Sequence, residues 1–345
     1  MHEINVAVVG CGFVADKHLS SWKKVPQAQV LAVCDLNKER AKNAARIWRI
    51  PNYYTSFSEL LKRDDISLVD ICTPPQVHKS LAVLAMESKL HILIEKPLTM
   101  RVKEADEILR CQKINGVQLG VIHNFLFNPA ILKARSIVKR GEVGEVIGVE
   151  VEILSTGTFM ASNKQHWCHK LPGGRFGEML AHPIYLIREF IGNFEVENVW
   201  VSRIGDYTWM RFDELYAVFD AGDKLGRTYI SFNSPRNAIC LNIFGKEATL
   251  RVNLTNATIT KMPRVGESRL SRGFDALRQA SQLTVSTITN MAKIVFGRWR
   301  SEHETYIRMF VDSLIYDRAP PVTVQSAYEV VRILEELCKR IDAHA

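Results

Sequence analysis

Short apolar runs alternate with helix-spaced stretches over the first 122 residues. Ile4–Val9, Val30–Cys34, Leu68–Cys72, His91–Ile94 and Val117–Ile122 read as strands. Lys38–Trp48, Phe57–Arg63, His78–Glu87 and Val102–Lys113 carry helical spacing between them. Strand and helix alternating at this rhythm predict a parallel, doubly wound sheet with right-handed crossovers. After Asn124 the pattern changes. Phe125–Arg140 is helical and Gly141–Gly144 is a turn. Period-two runs then dominate: Val146–Leu154, Val196–Ile204, Leu215–Phe219, Thr228–Phe232, Ile239–Phe244, Thr249–Asn253 and Ala257–Lys261. A helix over Glu178–Ile191, ended by Gly192, interrupts them, and Val324–Ile341 is a further helix. The pattern predicts an α/β chain in two parts. Residues 1–123 form the doubly wound sheet. Residues 124–345 form an α+β domain with an open, mainly antiparallel sheet. An open face with apolar character, as in Ile239–Phe244, predicts self-association.

The first strand runs into Gly10-Cys11-Gly12-Phe13-Val14-Ala15, a G-x-G-x-x-A pattern. The expected helix covers Ala15–Trp22. A strand, a glycine turn and a helix N-terminus together make a site for a dinucleotide pyrophosphate, because glycines admit the phosphates and free amides face them. The second strand ends in Asp35, 23 residues after Gly12. A carboxylate there accepts from the ribose hydroxyls of NAD and repels the extra phosphate of NADP. Ligands of such sheets bind outside the carboxyl ends of the strands. Two further ends carry chemistry, Cys72-Thr73-Pro74-Pro75 and Glu95-Lys96-Pro97. A lysine pinned by proline at a strand end projects an ammonium that can hold a substrate oxygen or pass protons; a solvated surface lysine is the plainer reading. In Gly173-Gly174-Arg175-Phe176-Gly177-Glu178-Met179-Leu180-Ala181-His182 the last acid and the histidine are four apart and share one face of a helix. A carboxylate beside an imidazole suits a general base, although a helix-stabilising contact would have the same spacing. No His-x-x-x-His or third ligand accompanies the pair, so no metal is expected.

Composition narrows this picture. With 345 residues, 47% hydrophobic and 24% charged, the chain is an ordinary globular protein of two domains. No apolar run reaches the roughly 18 residues of a membrane span, and Met1-His2-Glu3 leaves no room for a signal peptide before the first strand. Seven scattered cysteines without a C-x-x-C pair predict reduced thiols in the cytoplasm. The net charge of +8 is uneven: Arg264–Arg300 holds seven Lys/Arg against Glu267 and Asp275. This local patch points to an acidic partner, substrate or lipid surface and not to nucleic acid. Over Gly273–Arg300, Phe274, Leu277, Ser281, Val285, Ile288, Ala292, Val295 and Trp299 follow helical steps beside this charge. The segment is expected either to pack on its own or a partner subunit's core, or to contact a membrane peripherally.

These pieces in this order resemble the Gfo/Idh/MocA oxidoreductases. The resemblance rests on the glycine turn, Asp35, Thr73-Pro74-Pro75 with His78, Glu95-Lys96-Pro97, Asn124, Gly141-Glu142-Val143-Gly144 and the glycine-rich entry ending in His182. It implies a Rossmann domain that binds NAD through Gly10, Gly12, Phe13, Val14, Asp35, Thr73, Pro74, His78, Glu95, Lys96 and Asn124. It further implies that Lys96 and His182 are catalytic, with Glu178 where the family carries an aspartate. The substrate side would include His166, Trp167, His169, Lys170 and Arg175. Two departures stand out: Glu178 is one methylene longer than the family's residue, and Leu126 stands where relatives carry Arg or Tyr bordering the substrate. The activity implied is hydride transfer between nicotinamide and a secondary hydroxyl of a sugar, nucleotide sugar or cyclitol, in a dimer or tetramer. A redox-neutral enzyme that retains NAD and cleaves a glycosidic bond, or a silent NAD-binding regulator, are the other readings.

Overall fold

A computed structural model describes residues 4–156, 159–264, 266 and 268–344. The residues before Ile4 and Glu267, on which the leader and part of the charge count rest, lie outside these. The first unit is built on a six-stranded parallel sheet of order β3-β2-β1-β4-β5-β6. In chain order its elements are β1 (Ile4–Val9), α1 (Phe13–Trp22), β2 (Ala28–Cys34), α2 (Lys38–Trp48), β3 (Asn52–Tyr54), α3 (Phe57–Leu60), β4 (Leu68–Ile71), α4 (His78–Glu87), β5 (His91–Glu95), α5 (Val102–Asn115) and β6 (Leu119–Ile122). Val6, Val8, Leu68, Val69, Ile71, Ile92, Leu93 and Ile94 are fully buried, as strands covered on both faces must be. The sequence misses β3, whose three residues are too short to show a period. Helix α1 opens two residues earlier than expected, at Phe13.

The second unit begins with a 3₁₀ turn over Asn124–Phe127 and α6 (Pro129–Lys139), capped by the Asn128 side chain on the Ala130 amide. It continues through β7 (Val146–Leu154), α7 (Phe159–Ser162), α8 (Arg175–Met179) and α9 (Ala181–Ile191) to β8 (Glu195–Ser202), β9 (Glu214–Asp220) and β10 (Leu225–Ser231). Strands β11 (Ala238–Gly245), β12 (Ala248–Asn253) and β13 (Thr258–Pro263) precede the long helix α10 (Arg269–Val295). The seven strands order as β13-β12-β11-β7-β10-β9-β8, antiparallel throughout except β7 with β10. Helix α9 covers one sheet face, where Gly226 makes room: a Cβ there would lie 2.8 Å from Ile187 Cγ2.

The other face differs from the apolar patch expected around Ile239–Phe244. Alternation turns Leu241 and Ile243 into the core, and Asn242 and Cys240 to the open side. Register aligns Arg227, Glu150, Asn242 and Arg251 in one row, tied by Arg227–Glu150 at 3.1 Å and Asn242–Glu150 at 3.1 Å. A second row sets Trp200, Tyr216, Tyr229 and Glu152 side by side. This face is polar and aromatic.

A single break after residue 123 also needs correction. The first unit is Met1–Asn124 with Ser301–Arg332, and the second is Phe125–Arg300 with Ile333–Ala345. Helix α11 (Glu302–Ile315) returns to the first sheet, and α12 (Val324–Ala343) follows it. The cause is an apolar seat on β6. Gly120 lacks the side chain that would strike the Phe310 ring at 2.7 Å, so buried Tyr306 and Phe310 lie against the strand.

Candidate functional site

In the first unit the glycine turn is shaped by its neighbours. Gly10 has φ +91°, and a Cβ on it would stand 2.8 Å from the Cys72 carbonyl oxygen, so only glycine fits. Gly12 is different: its Cβ would meet nothing within 4 Å. It is also the N-cap of α1 and has no side chain to fill the amides of Phe13 and Val14. An open cradle at a helix N-terminus is what a pyrophosphate needs. Asp35 closes its far side. One carboxylate oxygen accepts the Cys11 amide at 2.8 Å and the other the Asn37 amide at 2.8 Å, so the carboxylate is fixed in place with lone pairs to spare. Beside Gly10 the hydroxyl of Thr73 is buried and has no hydrogen-bond partner among the described residues. A buried hydroxyl left without a partner is costly unless a ligand supplies one. The residues present therefore fit a dinucleotide.

Two residues expected to line that cradle lie beneath it. His78 is fully buried, with Nδ1 2.9 Å from the Pro97 carbonyl and Nε2 2.9 Å from the Thr73 carbonyl. It ties the loop after β4 to the loop after β5, and burial pushes its pKa down. Glu95 also points inward. Its Oε1 lies 2.9 Å from His18 Nε2 and 3.7 Å from His303 Nε2, while Oε2 accepts the Lys96 amide at 3.1 Å. On its other side the His18 Nδ1 meets Asp70 at 2.9 Å, and the Trp22 indole N–H donates to the same carboxylate at 2.6 Å.

His18 thus bridges two carboxylates with both ring nitrogens, a role that only the doubly protonated imidazolium fills at both ends. Burial alone would lower its pKa, but the Asp70 carboxylate outweighs this and leaves it well above the usual value. Burial likewise raises Glu95, and hydrogen bonds from His18 and His303 reverse it, holding the carboxyl well below its usual range. Sequence reading passed over this cluster. Its signals were an acid inside the apolar strand Leu68–Ile71 and a histidine on the inner side of α1.

In the second unit the Gly173-Gly174 turn, with φ +68° and +59°, feeds α8. The expected single helix is split at Leu180, because Pro183 has no N–H to return to the Met179 carbonyl. His182 is buried, the second residue of α9, with Nδ1 2.6 Å from the Tyr185 hydroxyl. That hydroxyl accepts the Phe125 amide at 3.3 Å, and the Phe125 ring lies 4.4 Å from the imidazole. A proton on Nδ1 satisfies the tyrosine and leaves Nε2 as the basic atom. Tyr185, three residues on, was missed. Glu178 makes an ion pair with Arg175.

Of the expected substrate residues, His169 and Arg175 share a cavity of about 160 Å³ with Trp209, Arg211, Phe212 and Asp342. Arg175 is buried, its guanidinium is 5.0 Å over the Phe232 ring, and its Nε has no partner among the described residues. His166 caps the turn Trp167–Lys170 and its ring lies against Trp167, while Lys170 is exposed. His182 is not in the wall of that cavity. Leu126 is buried. All seven cysteines are free thiols. Among the described residues no helix is long and apolar enough to cross a membrane.

The chain is similar to known proteins. Residues 4–123 match the Gfo/Idh/MocA profile, described as an oxidoreductase family with an NAD-binding Rossmann fold. Oxidoreductase P35 of Formosa agariphila is 29% identical over 265 residues, 74% of this chain and 81% of its own. D-apiose dehydrogenase of Paraburkholderia graminis is 30% identical over 138 residues, 40% of this chain and 37% of its own. Matched stretches therefore span from about a third to four fifths of the relatives' lengths. The crystal structure of the WlbA dehydrogenase from Bordetella pertussis, in complex with NADH and UDP-GlcNAcA, superposes with a TM-score of 0.83 at 17% identity. It covers 100% of this chain and 97% of its own.

Replacing His18 with Gln leaves two buried carboxylates facing a neutral group. The expected loss of stability is about 3–5 kcal/mol, read from urea midpoints at neutral pH. The raised His18 pKa contributes stability that is complete below about pH 6.5 and disappears as pH rises through the folded value. The wild-type midpoint should therefore decline on the alkaline side, and His18→Gln should not show that decline. Identical alkaline profiles would mean that His18 is neutral.

Proposed function

We propose that this chain, an NAD-dependent oxidoreductase whose residues 4–123 belong to the Gfo/Idh/MocA family, moves a hydride between nicotinamide and a secondary hydroxyl of a sugar-like substrate. The observation that carries this reading is the cradle itself: the side-chain-free N-terminus of α1, the fixed Asp35 carboxylate and the unpartnered Thr73 hydroxyl. Relatives named for D-apiose, and a structure holding UDP-GlcNAcA, support sugars or nucleotide sugars as the substrate class. Bound NAD supplies the hydride acceptor.

The rest is this chain's work. Lys96, at the end of β5, offers an ammonium to the substrate oxygen and stabilises the alkoxide as the hydroxyl loses its proton. His182 takes that proton on Nε2, and Tyr185 holds the ring with its other nitrogen engaged. Arg175 holds Glu178 in an ion pair at the entry to the helix that carries His182. The cavity of His169, Arg175, Trp209 and Arg211 offers a flat aromatic and two guanidinium groups, a set that suits a sugar with an acidic substituent. Seven free thiols fit a reducing, cytoplasmic setting.

Turnover tests the assignment. A screen of nucleotide sugars, sugar acids, free sugars and inositols with NAD should produce NADH from at least one class. With that substrate Lys96→Ala and His182→Ala should each lower kcat by about 10²-fold or more, with NADH affinity nearly unchanged. Near-normal turnover in either variant removes its residue from the mechanism.

Cofactor choice is a separate test. Asp35 should make NADH bind more tightly than NADPH in a fluorescence titration, and Asp35→Ser should narrow the gap. Tighter NADPH binding by the wild type would refute the role given to Asp35. The aromatic row of Trp200, Tyr216 and Tyr229 on the open sheet face, exposed at Trp200 and Tyr229, is the surface offered to a second copy, and a monomer in light scattering would count against it.

A further inference from the structure

Helix α10 is laid on its sheet the wrong way round for a globular protein. Its polar side faces inward onto β13. The Gln282 side chain accepts the Lys261 amide at 2.8 Å and donates to the Lys261 carbonyl at 3.1 Å. Two turns on, the Asn290 amide donates to the Asn256 and Ala257 carbonyls at 3.1 and 2.9 Å. The side turned away from the sheet carries Leu270, Phe274, Leu277, Ile288 and Val295, each between 62 and 77% exposed. None of the 27 residues is buried. A helix normally turns its apolar stripe to the core and its polar stripe to water. Here the stripe runs along about 40 Å of helix in the open, well beyond the scattered apolar residues of an ordinary surface. The helix ends at Val295, and Phe296, also exposed, continues the apolar surface.

Charge decides what covers it. Arg269, Arg272, Arg278, Lys293, Arg298 and Arg300 lie on or beside the helix in the sequence, against Glu267 and Asp275, the latter paired with Arg278 at 2.5 Å. A second copy would set the same excess of cations against itself, whereas an anionic surface would neutralise it. A groove of about 370 Å³ between α6 and α10, on the Gln282 and Asn290 side of the helix, adds Lys133 beside Lys293, Ser286 and Thr289. An exposed apolar stripe on a helix with a cationic excess suits an anionic interface, with acyl chains along the stripe and headgroup phosphates at the flanking cations.

We propose that α10 seats this protein on an anionic phospholipid bilayer, its apolar stripe in the interface and its arginines on lipid phosphates. The function is then performed at a membrane surface by a protein without a spanning helix among its described residues. This goes beyond the dehydrogenase reading and does not rest on it.

The test is co-sedimentation of the full chain with vesicles of phosphatidylcholine alone and of phosphatidylcholine mixed with phosphatidylserine. The wild type should partition onto the mixed vesicles, ignore the neutral ones, and lose about tenfold or more of its binding as salt is raised. Leu277→Glu with Ile288→Glu should abolish the partition. Both positions are exposed, so NADH binding and the thermal midpoint should stay as in the wild type, which separates this test from the cofactor site. Absence of vesicle binding at low salt overturns the proposal, as does binding that survives the double glutamate variant. So does a double variant that sheds subunits in light scattering while the wild type ignores vesicles, which would give the stripe to a second copy.

Discussion

An imidazolium with no access to water organises the first unit. Removing an ion from solvent costs several kcal/mol even after relaxation, and the cost is offset only where every charged neighbour is matched. His18 is matched on both sides, by Asp70 inside β4 and by Glu95 at the end of β5, with Trp22 and His303 completing the set. Because the ring bridges two strands and comes from α1, it fixes the helix that carries the glycine turn against the strand that carries Lys96. The second oxygen of Glu95 holds the Lys96 amide itself. The acid of the Glu-Lys-Pro element is thus the support on which the lysine stands, and His78 does the same for the loops on either side.

The second unit handles its exposed surface in two opposite ways. Its open sheet face shows ordered rows of charge and aromatic rings, with apolar residues turned inward by strand alternation. Its long helix shows apolar side chains outward and spends its amides on the sheet edge. A polar sheet face can stand in water or meet a partner with little penalty, whereas the helix face cannot be left bare at the same cost. The two surfaces therefore differ in what they can leave facing water, and the amphipathic pattern alone could not say which way the helix is turned.

Much of the architecture was legible in the sequence. Hydrophobic periodicity located five of the six parallel strands and all seven of the second sheet, because long buried runs and strict alternation are strong signals. The glycine turn and Asp35 were legible because their chemistry is local. Residues acting through the fold were not. His18, Asp70 and His303 are far apart in the chain and meet only through parallel pairing and the return of α11. Glu95 and His78 were read as lining the cofactor because their motif was recognised, but a motif does not say on which side of the strand end a side chain turns. The reach of Tyr185 to His182 was hidden for the same reason, although the two are three residues apart.

The return of α11 has a consequence for how the chain is made. Ribosomes release the six parallel strands long before Ser301–Arg332, yet His303 and the Phe310 ring belong beside those strands. Until that segment emerges, the β6 surface at Gly120 has nothing to bury it and Glu95 lacks one of its two imidazoles. The nascent first unit must wait in an incomplete state while the entire second sheet is synthesised, with an apolar strand face exposed to other chains. Ordering of the cofactor cradle is thereby tied to late events in translation. A protein of this construction asks for chaperone cover over its N-terminal sheet during synthesis, and its dependence on that cover follows from where in the gene one helix is written.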